Sequence, residues 1–500
     1  MIKNLLKRVK NEETINLDNV SEVKKATKRS LKWSFLAEIF SKLAIPLSTI
    51  FLARILTPEI YGISTAVTIV VSFCEMITDG GFSKFLIQHK FKSEEDFKKH
   101  FNSCFLLSIC FSILLIIFIF IFRRQISALV GNQGYDMVLV VSSLQIPITS
   151  LNALYIARLK RSFCFKILFY VRLIYCITPF IVTIPLALLG LKYWSLVIGT
   201  IASQCLQFPI LLLISHDKVH SRINKYSLKK SFTSSLPMIL ESTVIWACAW
   251  TSTIIAANFF DQATVGIVKT SNSTVNSIFM LFSTAFTSVL FPSLSRLVDN
   301  KKEYQNMFFS IQSATLVIMI PLGVGLHFYS GLVTDIFLGD QWKQATFVIG
   351  VFCLTKPLMI CFNNFTSEVF RSYGHFYSSI LYQLVLLGID LLLKFTVGRI
   401  SFEWFVWTTA LTDIIVTIIC FIILKLRYGI SLIKQLMSLI PSLLCCALMI
   451  PFVLLGTYVG GNIFESIIQA CICAVIYLCI LRLLFPRLFK NAISYLKRNV

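Results

Sequence analysis

The sequence predicts an all-α, polytopic membrane protein with about fourteen transmembrane helices, arranged as two six-helix lobes followed by two C-terminal helices. Three observations predict it. The 500-residue chain is 56% hydrophobic and 14% charged, with mean hydropathy +0.78, far from the balance of a soluble globule. Apolar segments of roughly 20 residues, the length that crosses a bilayer, follow one another along its whole length. Finally, 35 of the 46 basic residues fall in alternate connections between those segments.

The spans run near 33–56, 59–79, 101–122, 136–157, 167–190, 193–215, 232–259, 263–290, 306–329, 345–369, 376–397, 402–424, 432–457 and 463–485. One set of connections is strongly basic: Lys3 to Lys32, Lys84 to Lys99, Arg158 to Lys166, Lys218 to Lys230, Arg296 to Lys302, Arg371, Lys425 to Lys434 and the C-terminal tail. The other set holds seven basic residues: Arg54, Arg123, Arg124, Lys192, Lys343, Lys394 and Arg399. By the positive-inside rule both termini are cytoplasmic. The net charge of +22 is spread over loops that meet anionic headgroups. It forms no basic stripe interleaved with stacking aromatics, so nucleic acid is not an expected partner.

Residues 1–32 are charged throughout and lack the apolar core of a secretory signal; they read as a cytoplasmic lead. Segment 82–100, with Phe82, Phe85, Leu86, Phe91 and Phe97 among lysines, reads as a helix lying on the inner surface. The loops on the outer side are short, the longest near 123–135 and 329–344, which leaves no room for an external catalytic domain. Proline recurs inside spans (Pro46, Pro147, Pro179, Pro209, Pro237, Pro321, Pro357), as bundled membrane helices tolerate. Most of the fifteen cysteines lie in apolar runs, where cysteine is a small hydrophobe. Cys471 and Cys473 lack the second pair or histidine of a metal site, and no cofactor is expected.

An internal repeat is also legible. Gly62-Ile63, in the turn after the first span, recurs as Gly266-Ile267 after the seventh, and Glu38 at the same offset falls one residue from Glu241. A parallel six-span repeat of this kind holds its substrate between halves. The expected organisation is therefore a lead (1–32), an N-lobe of spans 1–6 (33–217), a C-lobe of spans 7–12 (218–427), and spans 13–14 with the tail (428–500).

The stretch Phe51-Leu-Ala-Arg54-Ile-Leu-Thr-Pro58-Glu-Ile-Tyr-Gly62 resembles the opening signature of bacterial polysaccharide flippases, and Val289-Leu-Phe-Pro292-Ser-Leu-Ser-Arg296-Leu resembles their second recurring motif. These are the oligosaccharidyl-lipid exporters, related to the lipid II flippase and the multidrug extruders. The resemblance implies movement of an undecaprenyl-pyrophosphate-linked oligosaccharide from the inner to the outer leaflet, for O-antigen, capsule or exopolysaccharide assembly. It also implies a central cavity lined by cations. Lipid-linked oligosaccharide and membrane lipids are the implied partners, with polysaccharide polymerase and chain-length machinery as further candidates.

Ionised residues inside spans cost about 2.5–3.5 kcal/mol or more at the bilayer centre and usually face a cavity or a partner. Lys42, Arg172, Lys269 and Lys356 are such residues. Lys42 has two readings, an i,i+4 pair with Glu38 or a cavity cation. Lys269 stands on one face with Asn272, Ser273 and Asn276, and Lys356 shares a stripe with Asn363, Asn364 and Ser367; such stripes avoid lipid. Arg172 divides between the interface and the cavity, and Arg54 joins the set by its place in the signature. The chemistry fits a lipid pyrophosphate: lysine and arginine for the anion, asparagine and serine for sugar hydroxyls. Glu38, Glu241, Asp390 and Asp413 are either structural counter-ions or coupling groups for protons or sodium. Two other readings compete: a drug extruder of the same superfamily, which would favour an acidic cavity, and a membrane polysaccharide polymerase, which would need a long external loop.

Overall fold

The computed structural model describes residues 20–79, 81–89, 91–215, 225–459 and 463–490. Among these the secondary structure is helical, without strands. Thirteen helices are long and apolar enough to cross a membrane, and a fourteenth, Gln262–Ser295, qualifies as a helix pair bent by 46°. The predicted all-α polytopic class is therefore the observed one.

The spans are, in order, Leu36–Ile55, Pro58–Gln88, Glu94–Ile121, Asp136–Arg161, Phe165–Leu188, Tyr193–Ile214, Lys225–Phe259, the bent pair, Lys301–Phe328, Ala345–Ser372, Tyr377–Gly398, Phe402–Tyr428, Leu432–Leu454 and Ile463–Leu484; we number them 1 to 14. Polar caps set several of their ends. Ser93 accepts a hydrogen bond from the Asp96 amide at 3.1 Å, and Glu94, Glu95 and Asp96 fill the first turn of span 3, where negative charge meets the positive helix end. Asn300 and Ser401 cap spans 9 and 12 in the same way. Span 12 stops at Gly429, whose left-handed φ of 66° favours glycine.

Two sequence expectations change here. The segment 82–100 is not one surface helix. Residues Phe82–Gln88 form a short helix whose Phe82, Phe85 and Leu86 are buried, and the Ser93 cap starts span 3 at Glu94. Its aromatic residues join Phe97, Phe101, Leu154 and Tyr155 in a core cluster rather than facing headgroups. The other change concerns the lead. The first helix runs unbroken over Val20–Ile55, so residues 20–32 extend span 1; residues 1–19 lie outside the described set.

The chain packs as two compact units, Met1–Gly266 and Ile267–Val500. In the first, hydroxyls fasten spans 2, 3 and 4. Ser150 Oγ donates to Thr78 Oγ1 at 2.7 Å, Ser108 Oγ donates to the Thr78 carbonyl at 3.0 Å, and Ser112 lies 3.4 Å from Ser150. Such polar contacts replace the hydrophobic drive that is missing between helices in lipid. Asn152 donates to Gln204 at 2.9 Å, joining spans 4 and 6. Span 7 packs within this unit, its Trp246 donating to Ser72 of span 2 at 3.0 Å. By packing, the chain thus divides inside span 8, whereas the repeat in the sequence divides it at 217/218.

In the second unit Tyr477 of span 14 donates to the Val317 carbonyl of span 9 at 2.8 Å, and Tyr304 meets Ser372 at 2.8 Å. Spans 10 and 11 each contain a π-helical stretch, Met359–Asn364 and Lys394–Gly398. Widened turns of this kind interrupt the regular ladder and often mark functional positions. Pro357, which has no amide hydrogen to donate, lies two residues before the start of the first of them.

Candidate functional site: charged groups inside the spans

In the first unit the charged groups cluster along spans 1, 2, 5 and 7. Lys42 Nζ lies 3.6 Å from Glu38 Oε1, the i,i+4 pair read from the sequence, and its side chain is 15% exposed. One residue earlier, Ser41 accepts a hydrogen bond from Arg172 Nε at 2.7 Å. Arg172 therefore crosses from span 5 to span 1 at the level of Lys42, placing two cations on adjacent helices. Tyr175, one turn beyond Arg172, lies within electrostatic reach of both Arg172 and Glu75 of span 2. Arg54, in the last turn of span 1, is exposed.

Glu75 and Asp79 were not singled out from the sequence. They stand i,i+4 on span 2, both half-buried, with Glu75 beside Thr149 and Asp79 hydrogen-bonded to Ser83. Lys84 and Lys160 bring positive charge to Asp79. Lys84 also binds Glu241 of span 7, Nζ to Oε2 at 3.3 Å, and Ser242 Oγ at 3.0 Å. The signal that would have found this group was present: two carboxylates one turn apart in an otherwise apolar span.

In the second unit Lys269 is half-buried and followed by Asn272 and Asn276, which share a hydrogen bond of 3.0 Å. Asn272 and Ser273 are exposed, while Thr270, Ser271 and Thr274 are buried. The polar stripe therefore has two sides, an accessible one carrying Lys269 and the asparagines and a packed one carrying hydroxyls.

The second cluster joins spans 10, 11 and 12. Lys356 Nζ donates to Met359 Sδ at 3.4 Å and feels the charge of Asp413. Asp413 lies within electrostatic reach of Lys356, Lys394 and Asp390, with Thr355 beside it. Lys394 is wholly buried and bonds Asp390 one turn back on its own helix. Thr412 donates to the same Asp390 oxygen at 3.4 Å, and the Lys394 ammonium lies 5.4 Å from the Phe405 ring centroid. Two lysines and two aspartates balance. Asn363, in the π-helical stretch that follows Lys356, is buried.

This corrects one sequence assignment. Lys394, near the end of the span read at 376–397 and grouped there with the outer cations, lies inside span 11 with no exposed surface. Among the described residues no group of three histidine, cysteine, aspartate or glutamate side chains is placed to hold a metal ion.

Many membrane-spanning helices, with charged residues held inside the spans, define the class: a polytopic helical membrane protein. The fold is that of the lipid II flippase MurJ in an inward closed conformation: TM-score 0.77 at 18% identity, covering 92% of this chain and 99% of that one. An inward-facing multidrug resistance MATE family transporter of the MOP superfamily is similar at TM-score 0.60 and 13% identity, over 78% of this chain and 94% of that one. Residues 51–346 match the model of a polysaccharide biosynthesis protein family, and the chain belongs to that family. It is 22% identical to a membrane protein in the cps region of Klebsiella pneumoniae, over 68% of this chain and 70% of the relative. It is also 22% identical to the succinoglycan biosynthesis transport protein ExoT of Rhizobium meliloti, over 67% of each.

Proposed function

We propose that this protein is a flippase, not an enzyme, that carries an undecaprenyl-pyrophosphate-linked oligosaccharide from the cytoplasmic to the outer leaflet of a bacterial inner membrane, with both termini cytoplasmic. The observation that carries the proposal is the placement of Lys42 and Arg172 at one level of adjacent helices, in a member of a polysaccharide biosynthesis family. A pyrophosphate brings about two negative charges, and cations in a poorly screened enclosure hold it most strongly. In this reading Lys42 and Arg172, with Arg54, are the anion-binding candidates of the first unit and Lys269 and Lys356 those of the second, while Asn272, Asn276 and Asn363 are the candidates for sugar hydroxyls.

Energy comes from the membrane potential. Each elementary charge exchanges about 2.3 kcal/mol per 100 mV, so two outward-moving negative charges gain roughly 4.6 kcal/mol per 100 mV. The four carboxylates considered for ion coupling each have a lysine nearby: Glu38 with Lys42, Glu241 with Lys84, Asp390 with Lys394 and Asp413 with Lys356. That pattern favours counter-ions over exchange sites.

The test is surface glycan in cells lacking the native protein, complemented with wild type, Lys42→Ala, Arg172→Ala, Lys269→Ala or the lysine-to-arginine versions at matched membrane levels. Lost export restored by arginine supports a cationic grip on pyrophosphate. Full export by every alanine variant removes it.

A further inference from the structure

We propose that Lys394 is a tethered cation permanently seated in an oxygen-donor site made by Asp390 and Thr412, so that the second unit binds no exchangeable metal cation there. A lysine with no exposed surface in the middle of an apolar chain is unusual, because an ammonium sheds its water at high cost unless a partner replaces it. Here the replacement is complete in kind. Asp390 takes the ammonium directly, Asp413 lies within electrostatic reach, and the face of Phe405 stands 5.4 Å away.

Without the lysine, the same atoms describe something else. The Asp390 carboxylate and the Thr412 hydroxyl, 3.4 Å apart, are hard oxygen donors close together, and the Asp413 carboxylate lies within electrostatic reach of them. Such a set repels itself and favours a small cation. Lys394 supplies that cation from within the chain. It is held by the backbone, its effective concentration at the site is far above any free ion's, and it does not leave. The π-helical stretch opens at Lys394 itself, and its amide still bonds the Asp390 carbonyl. The widened turn thus begins where the ammonium is anchored. Lys356, within electrostatic reach of Asp413, completes the neutral set.

The inference goes beyond the flippase reading and is tested without cargo, so either can fail alone. Purified full-length protein in lipid nanodiscs is melted in sodium, lithium or choline chloride at equal ionic strength. Wild type is expected to melt alike in all three salts. Lys394→Met, which keeps the stem and removes the charge, is expected to melt lower in choline and to gain several degrees, saturably, in sodium or lithium. The double variant Asp390→Asn with Lys394→Met is expected to lose that gain. A folded Lys394→Met that ignores the cation overturns the proposal. So does a sodium- or lithium-specific gain in wild type that Asp390→Asn abolishes, and this arm decides the matter if Lys394→Met does not accumulate.

Discussion

Gly62 and Gly266 stand against each other with no room for a side chain between them. A Cβ built on Gly266 would lie 2.9 Å from the Gly62 nitrogen and would overlap the Pro58 carbonyl, while one built on Gly62 would overlap the Gln262 carbonyl. The recurring Gly-Ile of the sequence thus brings the starts of spans 2 and 8 to backbone contact, as small residues do between membrane helices. Gly266→Val and Gly62→Val are each expected to destabilise by about 1–3 kcal/mol through overpacking, read as a lower melting temperature of purified protein. Melting curves that superpose on wild type would mean these helix starts separate freely.

The Lys84–Glu241 pair joins the short helix Phe82–Gln88 to span 7, with side chains 37% and 22% exposed. That places it between a surface pair, worth about 0–1 kcal/mol, and a buried pair, whose breakage costs about 3–5 kcal/mol. A double-mutant cycle with Lys84→Met and Glu241→Gln is expected to give a coupling of about 1–2 kcal/mol. The double variant should be more stable than the two single losses summed. Strict additivity would show that the two charges act independently.

The spans were legible in the sequence because about 20 apolar residues and alternating loop charge are imposed by the bilayer itself. The Glu38–Lys42 pair was legible from i,i+4 spacing alone. Asp390–Lys394 carries the same spacing in the same order, but Lys394 stands three residues from the end of the span read at 376–397 and groups by position with the outer cations, so that only the packing shows its burial. Lys84 and Glu241 are 157 residues apart, so only tertiary packing reveals their pairing. Segment 82–100 misleads for a related reason: its lysines suggest a headgroup surface, whereas Phe82, Phe85 and Leu86 turn into a core supplied by spans 3 and 4.

Arg172 and Ser41 separate holding a helix pair from holding an anion. Ser41→Ala removes the 2.7 Å acceptor but leaves the guanidinium in place. A hydrogen bond to a charged group contributes about 1.5–3 kcal/mol, and the exposure of Arg172 puts this one at the lower end. Ser41→Ala should therefore lower the melting temperature while retaining most export, whereas Arg172→Ala should lose export beyond its loss of stability. Equal export by both variants at matched levels would make Arg172 a structural residue only.

His89 makes a pH dependence that can be assigned to one side chain. It lies between the short helix and Ser93, outside the spans, with its ring 4.9 Å from those of Phe85 and Phe91 and 6.1 Å from that of His100. Burial lowers its pKa first, and the positive charges of Lys230 and Arg161 add to the effect, with Asp96 opposing. A histidine whose folded pKa lies below the unfolded value of about 6.5 binds fewer protons when native. The stability it contributes is then present above that value and declines as pH falls through and below it. The wild-type melting temperature should drop more between pH 7.5 and 5.5 than that of His89→Gln, the difference between the two curves being the His89 share. Parallel curves, or a wild type that gains stability in acid relative to His89→Gln, would show that the imidazole accepts its proton as readily in the folded loop as in the open chain.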